Sequence, residues 1–200
     1  KEYFHPIRIG KAIRIIPSWI ESESSKDDIT IFLDPGMAFG TGYHPTTRMC
    51  IELLEEIIVG NERLVDLGSG SGILSIAAVK LGAAEAVGFE LSSDAVKVAK
   101  ENCVINQVEK YVSIYEKQLS EETAVNDTYD IVVANISAKI IIELTYVLSN
   151  LIPVNGRIVL SGILKESLSK VETELNANRI FIDLISTTDD WVGILATKLD

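Results

Sequence analysis

A chain of 200 residues, 47% of them hydrophobic, can bury the core of one substantial α/β domain with a short extension, and needs no disulfide to do so. Its 18 basic against 29 acidic residues leave a formal net charge of −11, which argues against attraction to a nucleic-acid backbone and suits a basic partner. The two cysteines, Cys50 and Cys103, match no metal spacing, and the chain shows neither a charged-then-apolar leader nor an apolar run of membrane-spanning length, so a cytoplasmic chain without metal or membrane contact is expected.

Taken in order, Ile13-Arg14-Ile15-Ile16 before Pro17 and Ile29-Thr30-Ile31-Phe32-Leu33 read as two short strands. Between them, Glu21 to Asp28 is polar with no apolar anchor, the composition of a mobile loop. Residues 1–33 are therefore expected to form a linker and small β extension, and 34–200 the main domain.

Asp34-Pro35-Gly36-Met37-Ala38-Phe39-Gly40-Thr41-Gly42-Tyr43-His44-Pro45-Thr46-Thr47 comes next. Four glycines and prolines ahead of Pro45 let the chain bend sharply more than once. Pro45, Thr46 and Thr47 stand where a helix begins, with Met49, Ile51, Leu53, Leu54, Ile57 and Ile58 as its core face. Hydroxyls at such a start either cap the helix or meet a ligand, and Thr46 and Thr47 fit both readings.

The stretch Leu64 to Ser75 reads as strand, glycine turn and helix start. Gly68, Gly70 and Gly72 leave the backbone bare, permit positive φ, and precede a helix N-terminus whose first N–H groups lack helical partners. A cofactor is expected here. The dinucleotide pattern G-x-G-x-x-G is missed because the third glycine comes one place early, which disfavours a pyrophosphate loop. The pattern D-x-G-x-G-x-G beginning at Asp66 instead resembles the first motif of class I S-adenosylmethionine-dependent methyltransferases. Glu90 ends the next strand, Val87 to Glu90, about 20 residues on, where an acid can accept hydrogen bonds from ribose hydroxyls. The competing reading is a plain turn with Glu90 as a solvated strand end.

The alternation then continues. A helix over Ser93 to Asn106, capped by Ser92 or Ser93, precedes a strand over Tyr111 to Tyr115. Asp130 to Asn135 is a strand, followed by a helix through Leu148. Gly156 to Ser161 forms a further strand, Ser167 to Asn176 a helix, and Ile180 to Ser186 with Trp191 to Lys198 an antiparallel hairpin around Thr187 to Asp190. This order predicts a mostly parallel seven-stranded sheet with helices on both faces and a C-terminal hairpin. Ligands of such sheets bind beyond the carboxyl ends of the strands, which gathers Asp66 to Gly72, Glu90 and Asn135 at one edge. Asn135, an amide just after a strand, either closes a turn or holds a cofactor or an incoming amine.

Asp34 to Thr47, Asp66 to Leu74, Val133-Ala134-Asn135-Ile136 and Leu160-Ser161-Gly162-Ile163-Leu164 together resemble the PrmA family, enzymes that methylate the bacterial large-subunit ribosomal protein L11. Pro17-Ser18-Trp19 and Asp190-Trp191 extend the resemblance over nearly the whole chain. It implies a Rossmann-like class I methyltransferase fold, S-adenosyl-L-methionine as cofactor, and transfer of methyl groups to lysine ε-amines and the N-terminal α-amine of ribosomal protein L11. It also implies cofactor contacts at Thr47, Gly68, Glu90 and Asn135, with Asp66, Gly70 and Gly72 completing the turn. Glu90 stands where Asp is usual, Ser69 where Cys is common and Tyr43 where Thr is usual. Family members carry a separate N-terminal domain that recognises the ribosomal protein, and this chain begins near the linker after it. A lysine amine, with a pKa of about 10.4, must lose its proton before it attacks. His44 is a candidate base, since imidazole is the side-chain type suited to proton transfer near neutral pH, or it packs the glycine loop; Asn135 is the other candidate catalytic residue. The competing functions are a methyltransferase of another protein or small amine, a cofactor-binding module without turnover, and an NAD-linked oxidoreductase.

Overall fold

A computed structural model describes residues 5–20, 28–33, 42–118 and 128–200. Residues 21–27 of the polar segment and residues 34–41 of the glycine- and proline-containing stretch lie outside these. Among the described residues, ten strands form two sheets.

The larger sheet has seven strands in the order β6-β5-β4-β7-β8-β10-β9. They are β4 (Arg63–Leu67), β5 (Glu85–Glu90), β6 (Val112–Glu116), β7 (Ile131–Asn135), β8 (Arg157–Leu164), β9 (Ile180–Thr188) and β10 (Trp191–Lys198). β6, β5, β4, β7 and β8 run parallel, and β10 lies antiparallel between β8 and β9. From β4 the chain moves outward to β5 and β6, then returns to β7 on the other side of β4. The switch point therefore falls between β4 and β7, where the carboxyl ends of two neighbouring strands face chain running in opposite directions and leave a crevice.

Leu64 and Val65 show how both faces are filled. Leu64 joins a buried cluster with α1 (Pro45–Ile57), α2 (Ile73–Leu81) and α3 (Ser93–Ile105), while Val65 joins one with α4 (Ala138–Leu151) and α5 (Leu168–Ala177). Side chains alternate across a strand, so a strand covered on both sides must be apolar at nearly every position. Each fully buried aliphatic side chain contributes roughly 1.5–3 kcal/mol.

The small sheet pairs β1 (Ile7–Ile9) antiparallel to β2 (Ile13–Pro17) and β2 parallel to β3 (Ile29–Leu33). Ile9, Ile13, Ile15, Ile31 and Leu33 pack in the same cluster as Cys50, Leu54 and Ile73. The expected hairpin is present with a shorter turn: Thr187 and Thr188 remain paired with Val192 and Trp191, leaving Asp189 and Asp190 outside the strands. Asp189 takes a φ of 53°, the left-handed conformation that a tight hairpin turn demands. Both cysteines are free and buried, and burial pushes the Cys103 thiol up to about 12 and that of Cys50 higher still. Neither can serve as a nucleophile near neutral pH. Among the described residues no helix is long and apolar enough to cross a membrane, and no group of three or more His, Cys, Asp or Glu could hold a metal ion.

Candidate functional site

β4 ends in the glycine turn. Gly68, Gly70 and Gly72 have φ values of 70°, 53° and 79°, a left-handed conformation at alternate residues that other side chains adopt only under strain. The N–H groups of Gly68 and Ser69 donate to the Phe89 carbonyl at 2.9 and 3.2 Å, and that of Gly72 to the Ser69 carbonyl at 2.8 Å. The Gly70 N–H donates to Glu90 Oε2 at 3.0 Å. These four donors are thus engaged within the protein, and what the turn offers a ligand is bare backbone surface. A Cβ at Gly68 would stand 2.7 Å from Ile136 Cγ2, so the turn and the end of β7 approach too closely for any side chain there. Gly72 has a different reason to be glycine: a Cβ would meet Ala99 Cβ of α3 at 3.1 Å, so its bareness serves the packing of α2 on α3.

Glu90 faces the same turn from β5. Its Oε1 accepts from the N–H groups of Leu91 and Ser92 at 2.8 and 3.0 Å, while Oε2 accepts from Gly70. A carboxylate oxygen has two acceptor sites, so Oε2 retains capacity for one more donor. Gly68 and Glu90 form part of the wall of a cavity of about 360 Å³ that Leu91, Lys117, Ile136 and Ile140 also line.

Asp66 lies beneath the turn, fully buried. Ser75, in the first turn of α2, donates its hydroxyl to Asp66 Oδ2 at 2.8 Å, and Oδ1 has no hydrogen-bond partner. Burial raises the carboxyl from 3.8 to about 7; hydrogen bonds from Ser75 oppose the shift, and the negative charge of Glu90 adds to it.

A second group forms across the switch point. Asn135, the last residue of β7, donates Nδ2 to Thr47 Oγ1 of α1 at 3.2 Å. His44 is the N-cap of that helix: its Nδ1 accepts the Thr46 N–H at 3.4 Å and lies 2.7 Å from Thr46 Oγ1. The cap is thus neither Thr46 nor Thr47, and the imidazole nitrogen nearest the helix is committed to it. The His44 ring meets Trp191 edge-on at 5.1 Å, and the Tyr43 hydroxyl donates to the His5 carbonyl.

The structure therefore brings Gly68, Gly70 and Glu90 into one contact set, joins Thr47 to Asn135 in another, and puts Asp66 under the first. Sequence reasoning passed over Ser75, Leu91 and Lys117. The strand-end rule that selected Glu90 applies equally to Leu91, just beyond β5, and to Lys117, just beyond β6. No periodicity links Ser75 to Asp66, since they meet only after the turn folds back.

The family profile described as "Ribosomal protein L11 methyltransferase (PrmA)" matches residues 1–199. The chain belongs to the PrmA family. A PrmA relative, the ribosomal protein L11 methyltransferase of Halalkalibacterium halodurans, is 42% identical over 196 residues, which cover 98% of this chain and 62% of that protein. The crystal structure of ribosomal protein L11 methylase from Lactobacillus delbrueckii subsp. bulgaricus matches with a TM-score of 0.90 at 32% identity, covering 99% of this chain and 100% of that one. An RNA methyltransferase from Salinibacter ruber, in complex with S-adenosyl-L-homocysteine, shares the fold at a TM-score of 0.63 and 21% identity, over 78% of this chain and 95% of that one. The fold is the Rossmann-like one of class I S-adenosylmethionine-dependent methyltransferases. This PrmA chain spans about 62% of the length of the curated relatives it matches.

Proposed function

We propose that this chain carries the catalytic domain of an S-adenosyl-L-methionine-dependent protein N-methyltransferase, acting in the cytoplasm on lysine ε-amines and the N-terminal α-amine of ribosomal protein L11. Residues 34–200 form that domain and 1–33 a linker and small β extension. The observation that carries the reading is the contact between the Gly70 N–H and Glu90 Oε2, at the rim of a cavity beside the switch point of a PrmA chain. The residues fit the cofactor. Glu90 Oε2 keeps an acceptor site for a ribose hydroxyl, Gly68 presents bare backbone in the cavity wall, and the unpartnered Asp66 Oδ1 lies under the turn.

When bound, the cofactor supplies a methyl group made electrophilic by its sulfonium. Glu90 and the turn from Asp66 to Gly72 hold the nucleoside and amino-acid ends, and the apolar cavity wall keeps water from them. Asn135, with Nδ2 donated to Thr47, offers Oδ1 to an N–H of the incoming amine and so aims its lone pair. An amine so aimed would meet the methyl group that the bound cofactor would supply, and the part these residues play is to hold the two in line. The nitrogen must shed its proton first, and His44 is the candidate to accept it, through Nε2 because Nδ1 faces Thr46 at the cap of α1. Alignment supplies most of the acceleration that such a displacement needs.

The test is calorimetric titration with S-adenosyl-L-homocysteine, with NAD as control, followed by transfer of labelled methyl to ribosomal protein L11 by the full-length protein. Micromolar binding of the first ligand alone, roughly −8 kcal/mol, with label on L11 lysines and its N-terminus by mass spectrometry, is expected. Binding of NAD in place of the homocysteine compound would overturn the cofactor assignment. Label on another protein or amine, with none on L11, would overturn the substrate.

A further inference from the structure

The stretch Leu160-Ser161-Gly162-Ile163-Leu164 lies on β8, outside the cavity, yet it touches the site from behind. Asn135 stands opposite Ser161 in the parallel register of β7 and β8. One residue on, the Ile136 N–H donates to the Ser161 carbonyl at 3.1 Å. Gly162 takes a φ of 82° against the backbone of that same residue: a Cβ there would lie 2.4 Å from the Ile136 carbonyl oxygen, 2.9 Å from its carbon and 3.1 Å from its nitrogen. The backbone of Ile136, the residue that follows Asn135, therefore rests directly on Gly162.

Ser161 reaches the other way. Its hydroxyl, fully buried, donates to the Val192 carbonyl at 2.9 Å, at the place where the register of β10 against β8 slips between Val192 and Ile194. Slippage takes strand groups out of the ladder, and a side-chain hydroxyl can pair the carbonyl there. Val192 follows Trp191, whose ring packs on His44; His44 caps α1; and α1 carries Thr47, which accepts from Asn135. The contacts close a circuit from Asn135 through Ser161 and Gly162 to Val192 and Trp191, and back through His44 and Thr47.

We infer that Ser161 and Gly162 are positioning residues for Asn135, fixing the backbone that carries its side-chain amide and tying that backbone to the helix start that holds the amide's other end. This rests on the proposed role of Asn135. A strand-end amide fastened at one point can swing, and a misplacement of about 1 Å costs on the order of 100-fold in rate. Gly162→Ala must displace the Ile136 peptide, whereas Ser161→Ala removes only the tie to Val192.

The experiment measures four quantities for wild type, Ser161→Ala, Ser161→Thr and Gly162→Ala. These are Tm, affinity for S-adenosyl-L-homocysteine, kcat and KM for methyl transfer, and the ¹⁵N side-chain amide signals of Asn135, assigned by their loss in Asn135→Asp. Expected results are shifted Asn135 amide signals in both alanine variants, kcat reduced about 100-fold in Gly162→Ala and about tenfold in Ser161→Ala, and partial recovery in Ser161→Thr. The kcat loss should exceed any change in KM for the cofactor. If Gly162→Ala does not fold, Ser161→Ala carries the test. Wild-type Asn135 signals and kcat in a folded alanine variant, with only Tm lowered, would overturn the inference. A wild type that binds no S-adenosyl-L-homocysteine would instead sink the proposed function, and the amide signals would still report whether Ser161 and Gly162 hold Asn135.

Discussion

Asp66 is a carboxyl group shut away from water, with one oxygen paired to Ser75 and the other unpaired. Removal from water disfavours the charged form, which is why its folded pKa of about 7 exceeds the ordinary 3.8. A raised folded pKa means that the folded state holds its proton more tightly than the unfolded chain does. The stability this contributes is complete below pH 4, where both states are protonated, and is lost as pH rises through about 7. The swing is on the order of 4 kcal/mol, taking 1.36 kcal/mol per pKa unit. Asp66→Asn keeps a similar shape and an acceptor for Ser75 but has nothing to ionise. The Tm of the variant relative to wild type should therefore be several degrees higher at pH 8 than at pH 5. Equal differences at the two pH values would show that folded Asp66 is already charged at both.

Among the elements, α3 does more than cover the sheet. Asn106, which caps its C-terminus, pairs with Phe32 of β3 much as a neighbouring strand would: the Phe32 N–H donates to Oδ1 at 2.9 Å and Nδ2 donates to the Phe32 carbonyl at 2.6 Å. One turn earlier, Asn102 donates Nδ2 to the Ser71 carbonyl in the glycine turn at 2.9 Å. A single helix thus ties the small sheet and the turn together. Asn106→Ala should lower the unfolding free energy in urea by about 1–3 kcal/mol, because it leaves peptide groups of Phe32 without their partners. An unchanged midpoint would mean that water replaces the amide at no cost. None of this could be read from the sequence, where Asn102 and Asn106 are two polar residues in an otherwise amphipathic helix. What could be read was whatever local pattern specifies: β4 as an apolar run, the turn by its glycines, Glu90 and Asn135 as strand ends. Three residues of β1 are too few for periodicity to register. Thr187 and Thr188 look like turn residues because they are polar, yet on an exposed edge strand polar residues pair as well as apolar ones. The histidine cap of α1 was hidden because imidazole is not among the usual N-cap side chains.

For the whole molecule, the two clusters on either face of the sheet hold β4 and β7 side by side, so that the glycine turn and Asn135 reach the same edge from different parts of the chain. That edge belongs to a molecule with a net charge of −11. A surplus of this size draws a basic protein in from beyond contact distance and does little for a ligand seated in an apolar cavity. If the substrate is the basic ribosomal protein proposed above, the two binding events should respond differently to salt. Raising ionic strength from about 50 mM to about 500 mM shortens the screening length from roughly 14 Å to roughly 4 Å, short enough to erase the long-range attraction. KM for ribosomal protein L11 should then rise severalfold, while the affinity for S-adenosyl-L-homocysteine, if close contacts with Glu90 and the turn hold it as proposed, changes by less than about twofold. Steady-state kinetics and calorimetry on the same salt series decide it. A flat KM would mean that the acidity serves solubility alone, and that whatever selects the substrate does so at short range.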